Sequence, residues 1–526
     1  MSPAAVTAWI DGDPDPASRA ELLGLSAAEL AERFSQHLRF GTAGIRGPVR
    51  AGPNGMNLAV VIRTTAGISS WLTRRCLGGS IVVVGRDARR GSEAFSRAAA
   101  EVLAAAGFRV VFLPRPLPTP VVAYSTRLLG AAAGIQITAS HNPPGDNGYK
   151  VYLDGGAQLV APADNEIERE IAAAPPAASV PRKPVEAADS QLVGKYLQRV
   201  AGLPKGQHRR LRIALTPMHG VGGEVALAAL RDAGFTDVHT VREQFEPDPA
   251  FPTVAFPNPE EAGAADLLLA LAADVGADIA IALDPDADRC AVGVPTENGW
   301  RMLTGDETGV LLGDYVLRHT AGDRLVATTI VSSSLLGRVA AAHGARYAET
   351  LTGFKWLVRA GDGLVYAYEE ALGICADPDT VRDKDGISAA VLVADLAATL
   401  KAEGRTLTGA LHGLMDVHGF HQTAQISRRF TDLTAISAAM QKLRHALPRE
   451  IGGETITVND LTAVRGPGRT DAIILRGEHL RVVVRPSGTE PKLKCYIEAA
   501  MDDNSAAAQE AAKTLISAAT EFAAQL

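Results

Sequence analysis

Apolar and polar positions along this chain follow a recurring cycle: a short β-branched run, a glycine turn, then an alanine- and leucine-rich stretch of helical length. Residues 81–84 (Ile-Val-Val-Val) lead into Gly85, and a helical segment is expected over 92–106. Gly107 ends it, because glycine enters the left-handed conformation past a last helical turn without a Cβ clash. Residues 109–113 (Arg-Val-Val-Phe-Leu) predict the next strand. The cycle returns as strand 211–215, helix 223–233 and Gly234, and again as 325–331, 335–343 and Gly344. Apolar runs at 133–137 and 279–283, and a β-rich run at 364–368, predict further strands. Strands alternating with helices of this length imply βαβ units on mixed or parallel sheets, and three such modules at similar spacing suggest duplication.

Two regions depart from the cycle. Residues 172–188 are dense in Ala and Pro and read as a linker or a surface loop. Beyond about residue 420 the character changes: strand-like 472–475 and 480–484, then an alanine-rich helix over 505–526, predict a smaller α+β domain.

Composition sets the scale. The chain has 526 residues, enough for about three to five domains at roughly 100–200 residues each. With 47% hydrophobic and 21% charged residues it can bury several cores. Its net charge of −7 argues against a nucleic-acid partner, whose affinity comes from Lys and Arg on phosphates, while a small phosphate ligand needs only a local positive pocket. Cys76, Cys290, Cys375 and Cys495 are scattered, with no C-x-x-C pair, which fits a reducing compartment and no zinc site. The first residues are acidic rather than basic and apolar, so no secretory signal is expected, and the apolar runs are of strand length. A cytoplasmic protein with no membrane partner is expected.

Four motifs carry candidate chemistry. The first, from Thr138 through Ser140, His141, two prolines and Gly145 to Lys150, is a polar loop after a buried strand. Serine is a weak nucleophile unless a base, cation or metal assists it, and this loop supplies an imidazole and an ammonium; a capping turn would use the same residue types. The second, Asp284-Pro-Asp-Ala-Asp-Arg289, sets three carboxylates at alternate positions directly after an apolar run. Three crowded anions call for a hard cation. The spacing is like the start of an EF-hand loop, but Arg289 and Pro295 stand where that loop needs Gly and Glu, so an octahedral Mg²⁺ site with open positions fits better.

The third motif joins Gly353 and Lys355 with Glu369 and Glu370, adjacent glutamates that can accept hydrogen bonds from sugar hydroxyls or form a surface acidic pair. The fourth, Arg485-Pro-Ser-Gly-Thr-Glu-Pro-Lys492, follows a strand; small hydroxyl residues around a glycine expose backbone N–H groups and arginine adds a bidentate phosphate grip. A glycine-rich cluster at 40–47 contains Arg46.

Together and in this order, from about Phe40 to Ala499, these motifs resemble the α-D-phosphohexomutase superfamily of phosphoglucomutases and phosphomannomutases. The resemblance implies an α/β architecture of three related mixed-sheet domains and a smaller C-terminal α+β domain around a central cleft. The expected divisions are 1–205 (phosphoserine), 206–312 (metal), 313–425 (sugar) and 426–526 (phosphate). It implies an isomerase in which Ser140 is phosphorylated, and Asp284, Asp286 and Asp288 hold Mg²⁺ with a Ser140 phosphoryl oxygen as a further ligand. Arg46 and Lys150 would flank the transferred group, Lys150 as a candidate general acid or base, with His141 close by. Arg289, Gly353, Lys355, Glu369, Glu370 and Lys384 would line the substrate, and Arg485, Ser487, Gly488 and Thr489 would grip the phosphate that is not transferred.

The implied reaction interconverts hexose 1-phosphate and hexose 6-phosphate, of glucose or mannose, through a sugar 1,6-bisphosphate that also serves as activator. A monomer or small homo-oligomer is expected. One departure bears on the sugar: where bacterial phosphomannomutase-type members have Gly-Glu-x-Ser-Gly-His, this chain has Ala371, Leu372 and Ile374 at the polar positions, closer to the phosphoglucomutase-2 and phosphopentomutase branch. The segment with Arg382, Lys384, Asp385 and Gly386, and the run from Thr216 to Gly223, lean the same way. A phosphopentomutase and a glucose-1,6-bisphosphate synthase are alternatives, as are a sugar phosphatase and a non-catalytic sugar-phosphate sensor.

Overall fold

The first two strand–helix cycles fold into five-stranded sheets of one plan. In the first sheet, β1 (Ile45–Pro48), β2 (Ile81–Arg86), β3 (Arg109–Phe112), β4 (Ala133–Ile137) and β5 (Asp146–Leu153) lie in the order β1-β5-β4-β2-β3. β3 and β4 run parallel to β2, while β5 is antiparallel to β4 and β1 to β5. In the second, β6 (Ile213–Thr216), β7 (Val238–Thr240), β8 (Ile279–Leu283), β9 (Cys290–Thr296) and β10 (Gly299–Met302) lie in the order β10-β9-β8-β6-β7, with β7 and β8 parallel to β6 and the other two pairings antiparallel. Central strands covered on both faces read as unbroken apolar runs: Val82, Val83, Val84 and all of β4 and β8 are buried. The first core is closed by Val61, Ile68 and Leu72 from helix Leu58–Arg74 and by Phe95, Ala99 and Leu103 from helix Ser92–Ala105.

The computed structural model describes residues 2–41, 44–430, 433–466, 468–487 and 492–526. Its contacts divide the chain into one unit of Met1–Leu303 with Gly373–Thr399, holding both sheets above, and a second of Thr304–Leu372 with Leu400–Leu526. In the second unit β11 (Leu325–Thr329) runs parallel to both β12 (Arg346–Thr350) and β13 (Leu364–Glu369). A short strand of the first unit, β14 (Gly373–Cys375), bridges Arg289 through Gly373.

The duplication has a functional consequence. β4, β8 and β13 hold the same place in their modules, and each leads into one of the chemically loaded loops. Each loop also turns through a non-glycine residue with positive φ: Ser140 (51°), Ala287 (55°) and Leu372 (63°). An L-residue in that conformation costs roughly 1–2 kcal/mol and persists only where its surroundings enforce it.

The C-terminal part is α+β, as its composition suggests. β15 (His421–Arg429), the small hairpin β16 (Glu450–Ile451) and β17 (Glu454–Thr455), then β18 (Thr457–Asp460), β19 (Ile473–Arg476), β20 (Leu480–Pro486) and β21 (Lys492–Ala500) follow in sequence. The main sheet, β15-β21-β20-β19-β18, is antiparallel throughout. Helix Ala506–Ala524 packs Ala512, Leu515, Ala519 and Ala523 onto Ile473, Val482 and Ile497.

One local expectation narrows and another changes. Of the two readings of segment 172–188 the surface loop holds: most of it is exposed, and Ala177 and Val180 pack against Ile62 and Val102. The polar loop expected to reach Lys150 stops at residue 145, because β5 begins at Asp146 and Lys150 lies on it opposite Gln136. No helix among the described residues is long and apolar enough to cross a membrane.

Candidate active site

Ser140 follows β4 in a turn closed by its own amide, which donates to Thr138 Oγ1 at 2.9 Å. Its Oγ donates to Asp284 Oδ2 at 2.9 Å and lies 3.2 Å from His141 Nδ1. Desolvation in the loop, followed by the positive charges of Arg289 and Arg46, pushes the His141 pKa well below its ordinary value, so the imidazole is neutral. Arg46 Nη1 donates to Asn142 Oδ1 in the same loop at 3.3 Å.

Asp284, Asp286 and Asp288 leave the end of β8 with one carboxylate oxygen each inside a cluster whose atoms all lie within 4.8 Å of one another. All three are buried. Alternate residues on a tight loop share a side, which is why a period of two brings three anions together. The loop is supported from below: the Val221 amide donates to the Pro285 carbonyl at 2.8 Å, and a Cβ at Gly220 would run into the Pro285 backbone. The run from Thr216 to Gly223 therefore acts as the floor of the carboxylate loop.

Positive charge meets this cluster from two directions. Lys150 Nζ lies 3.0 Å from Asp286 Oδ2 and 2.9 Å from Asp288 Oδ2, and Lys384 Nζ lies 3.4 Å from Asp288 Oδ2. Burial works against the Lys150 charge, but Asp286 and Asp288 outweigh it and its pKa rises above the ordinary lysine value. Burial also opposes ionisation of Asp288, and Lys150, Lys384 and Arg289 overcome it, so that pKa falls far below the carboxylate range. Asp286 is lowered as well: burial and Asp288 oppose its charge, and Lys150 with the Thr119 hydroxyl prevails. Asp284 goes the other way, raised by burial and by both neighbouring carboxylates. Asp286 Oδ1 and Asp288 Oδ1 are buried and accept no hydrogen bond from the described residues. Two unsatisfied anionic oxygens beside a third carboxylate form a hard-donor set, and it suits a divalent cation.

Arg289 closes the loop, its amide donating to Asp284 Oδ1 at 3.0 Å and its Nη1 lying 3.4 Å from Glu260 Oε2. Lys384 is held in place by its neighbours. The Asp383 carboxylate accepts from the Tyr152 hydroxyl at 2.6 Å and Gln158 Nε2 at 2.9 Å, and the Tyr196 hydroxyl donates to Asp385 Oδ1 at 2.8 Å. A Cβ at Gly386 would strike the Arg289 carbonyl, so glycine is required where this segment rests on the carboxylate loop. Ser140, His141, Lys150, Arg46, Asp284, Asp286, Asp288, Arg289 and Lys384 thus come together in the first unit.

The remaining sequence-derived residues belong to the second unit. Glu370 Oε2 accepts from Ser332 Oγ at 3.0 Å and Thr329 Oγ1 at 3.2 Å, and Glu369 ends β13. Beneath them lies a buried network. Asp306 Oδ1 accepts from the Ser333 amide at 2.6 Å and the Tyr368 hydroxyl at 3.0 Å, and Glu498 pairs with Arg481 at 2.7 Å while accepting from Ser333 Oγ at 2.8 Å. Gly353, at φ 104°, caps the short helix Phe354–Leu357 that carries Lys355. Arg485 pairs with Lys494 across β20 and β21, and the Ser487 amide donates to the Lys492 carbonyl at 2.8 Å. Gly488 and Thr489 lie outside the described residues.

Sequence reading missed three supporting residues. Thr119 donates to Asp286 Oδ2 at 2.6 Å, Asp383 braces the Lys384 segment, and Arg89 binds the Ser140 loop. Thr119 and Arg89 are remote from the motifs they serve, whereas Asp383 stands next to Lys384 and carries no pattern of its own; for Arg89 the signal was the Gly85-Arg-Asp turn, which reads as a strand exit alone.

Residues 37–177, 194–298 and 304–417 match the family descriptions "Phosphoglucomutase/phosphomannomutase, alpha/beta/alpha domain" I, II and III, and residues 434–514 match the C-terminal domain of the same family. A "Probable phosphomannomutase" of Haemophilus influenzae is 41% identical over 454 residues, covering 85% of this chain and 93% of that protein. A phosphopentomutase of Mus musculus is 33% identical over 551 residues, covering 93% and 89%. The crystal structure of a phosphoglucomutase/phosphomannomutase family protein from Burkholderia thailandensis shares the fold, with a TM-score of 0.69 at 22% identity over 91% of this chain and 97% of that one.

Proposed function

Because the chain belongs to the phosphoglucomutase/phosphomannomutase family, we propose that it moves a phosphoryl group between the 1- and 6-hydroxyls of a hexose, glucose or mannose, with Ser140 as the phosphorylated relay. The observation that carries this reading is the Ser140 hydroxyl bonded to Asp284 inside a buried three-carboxylate cluster capped by Lys150. Phosphoryl transfer asks little covalent chemistry of a protein beyond positioning and charge.

Phospho-Ser140 gives its phosphoryl group to the free sugar hydroxyl: the new sugar O–P bond forms, the serine Oγ–P bond breaks, and the product is a sugar 1,6-bisphosphate. The proton lost by the attacking sugar hydroxyl ends on the freed serine Oγ, relayed by His141, which is neutral and beside Oγ; Lys150, the general acid or base expected from the sequence, is held protonated and offsets charge on the moving group instead. The bisphosphate turns end over end and its other phosphate returns to the serine, so the same bisphosphate recharges enzyme that has lost its phosphoryl group. Arg289 and Lys384 flank the reacting end. Glu370 and Glu369 read sugar hydroxyls, with Gly353 and Lys355 at the same substrate, and Arg485, Ser487, Gly488 and Thr489 hold the phosphate that is not being transferred. Asp284, Asp286, Asp288 and a Ser140 phosphoryl oxygen would hold Mg²⁺, which when bound supplies electrostatic stabilisation to the transferring group.

A pentose reading is favoured by one specific feature: Leu372, buried and with positive φ, takes the place of the serine in the sugar loop of bacterial phosphomannomutase-type members, as the resemblance aligns them. The test of both is phosphorus NMR with Mg²⁺, a trace of sugar bisphosphate, and glucose, mannose or ribose 1-phosphate. Conversion to the 6-phosphate without free phosphate supports the hexose mutase, and conversion of ribose 1-phosphate alone moves the assignment to a phosphopentomutase. Free phosphate as the product would overturn both.

A further inference from the structure

Arg89 is almost wholly enclosed, its side chain 1% exposed, and it spends its guanidinium on a single loop. Nη2 donates to the carbonyls of Ser140 and Asn142, both at 2.6 Å, and Nη1 to those of Pro143 at 2.8 Å and Asp146 at 3.1 Å. One planar fork thus ties down four carbonyls along the whole path from β4 to β5. Its plane is itself fixed: the guanidinium carbon stands 5.0 Å from the Phe251 ring centroid, and Asp87 Oδ2 faces Nε at 3.5 Å. Asp87 is in turn anchored by the Ser92 hydroxyl at 2.5 Å and the Arg89 amide at 2.9 Å.

The first of those four carbonyls belongs to the residue whose conformation most needs enforcement. Ser140 has φ 51° and no glycine freedom to hold it there. Released, the peptide after Ser140 would rotate toward an ordinary φ and swing Oγ away from Asp284. A lysine could keep the charge, but one ammonium nitrogen cannot satisfy four carbonyls spread along a fork.

We propose that Arg89 is a positioning residue that locks Ser140 in its left-handed conformation and thereby sets the rate of phosphoryl transfer without contributing to sugar affinity; this rests on the mutase reading above. The sugar-hydroxyl and distal-phosphate contacts come from other segments, so losing the clamp leaves ground-state binding in place and misplaces the reacting oxygen. A displacement on the order of 1 Å at a reacting centre costs about 100-fold in rate.

The test uses full-length Arg89→Lys and Arg89→Gly, with circular dichroism and thermal unfolding to establish folding, followed by steady-state and single-turnover phosphoryl transfer. Arg89→Lys is expected to lose about 100-fold in kcat with KM changed by less than about threefold. Methylguanidinium is expected to restore Arg89→Gly at least about tenfold while methylammonium does not, a split that a purely structural role would not produce. A kcat for Arg89→Lys within about threefold of the parent, a loss confined to KM, or equal rescue by both cations overturns the inference. If neither variant folds, Arg89 is a folding residue and the inference fails. Parent protein inactive on every phosphosugar overturns the mutase reading and this inference with it, whereas active parent and equally active variants overturn this inference alone.

Discussion

The ammonium of Lys150 lies 2.9 Å from Oδ2 of Asp288, both groups nearly sealed from solvent. This ion pair joins β5 of the first sheet to the loop after β8 of the second, and it tethers the serine-bearing module to the carboxylate-bearing one. Lys150→Met should therefore destabilise the first unit, since removing one partner of a buried pair costs about 3–5 kcal/mol. The loss should be largest in chelator and partly recovered by Mg²⁺, because a divalent cation can take over the charge compensation. Thermal unfolding of both proteins with EDTA and with MgCl₂ checks this; equal Mg²⁺ shifts for parent and variant would contradict it.

Ser140→Ala should abolish turnover and leave the melting temperature nearly unchanged. Alanine accepts the positive φ no better than serine, and only a single hydroxyl is lost, so the stability change should stay within about 1 kcal/mol. Loss of the phosphoserine signal in phosphorus NMR of the purified protein is the matching spectroscopic outcome. Full activity in this variant would remove the relay from the mechanism.

Asp286→Asn keeps an acceptor for the Thr119 hydroxyl and removes a negative charge from the cluster. The Mg²⁺ concentration for half-maximal activity should rise by about tenfold or more, since affinity for a hard cation follows ligand charge. A magnesium titration of activity is the measurement, and an unaltered midpoint would point to a different metal site.

Asp306 predicts a pH effect on the second unit. Burial raises its pKa from 3.8 to about 7; the Ser333 amide opposes the rise, and Glu370 and Glu498 add to it. The folded state then holds the proton more tightly than the unfolded state between those two values. This group's contribution to stability falls as pH rises through that window and levels off above it. Asp306→Asn should remove the decline, making the variant more stable relative to the parent at pH 8 than at pH 5 by about 2.5 kcal/mol. Thermal unfolding at the two pH values decides it; parallel shifts would mean that Asp306 does not titrate there.

Much of the chemistry was legible in one dimension because it sits at strand ends. β4 and β8 were readable to the residue, since a strand covered on both faces has to be an unbroken apolar run. The segment after such a strand must leave the core, so Ser140 and the three aspartates stood out as polar residues at fixed offsets from a buried run. Lys150, by contrast, lies within β5 and not at the end of the loop. β5 mixes Asp146, Asn147, Gly148 and Lys150 with apolar residues, and a polar strand buried by ion pairing carries no hydrophobic period. The Ala/Pro stretch at 172–188 is the exposed surface segment that its composition suggests, but the two anchors, Ala177 and Val180, are small residues with no periodicity to mark them.

The repeated βαβ modules, the C-terminal change to α+β, and the order of serine, carboxylate, glutamate and arginine loops follow from the order of residues, because all of these rest on contacts and periodicities local in the chain. Which charges meet is set by the folded chain. Lys150 reaches Asp288 across 138 positions, Ser140 reaches Asp284 across 144, and Thr119 reaches Asp286 across 167. Such pairs leave no local periodicity, and desolvation fixes each protonation state only once the folded chain has brought the partners together.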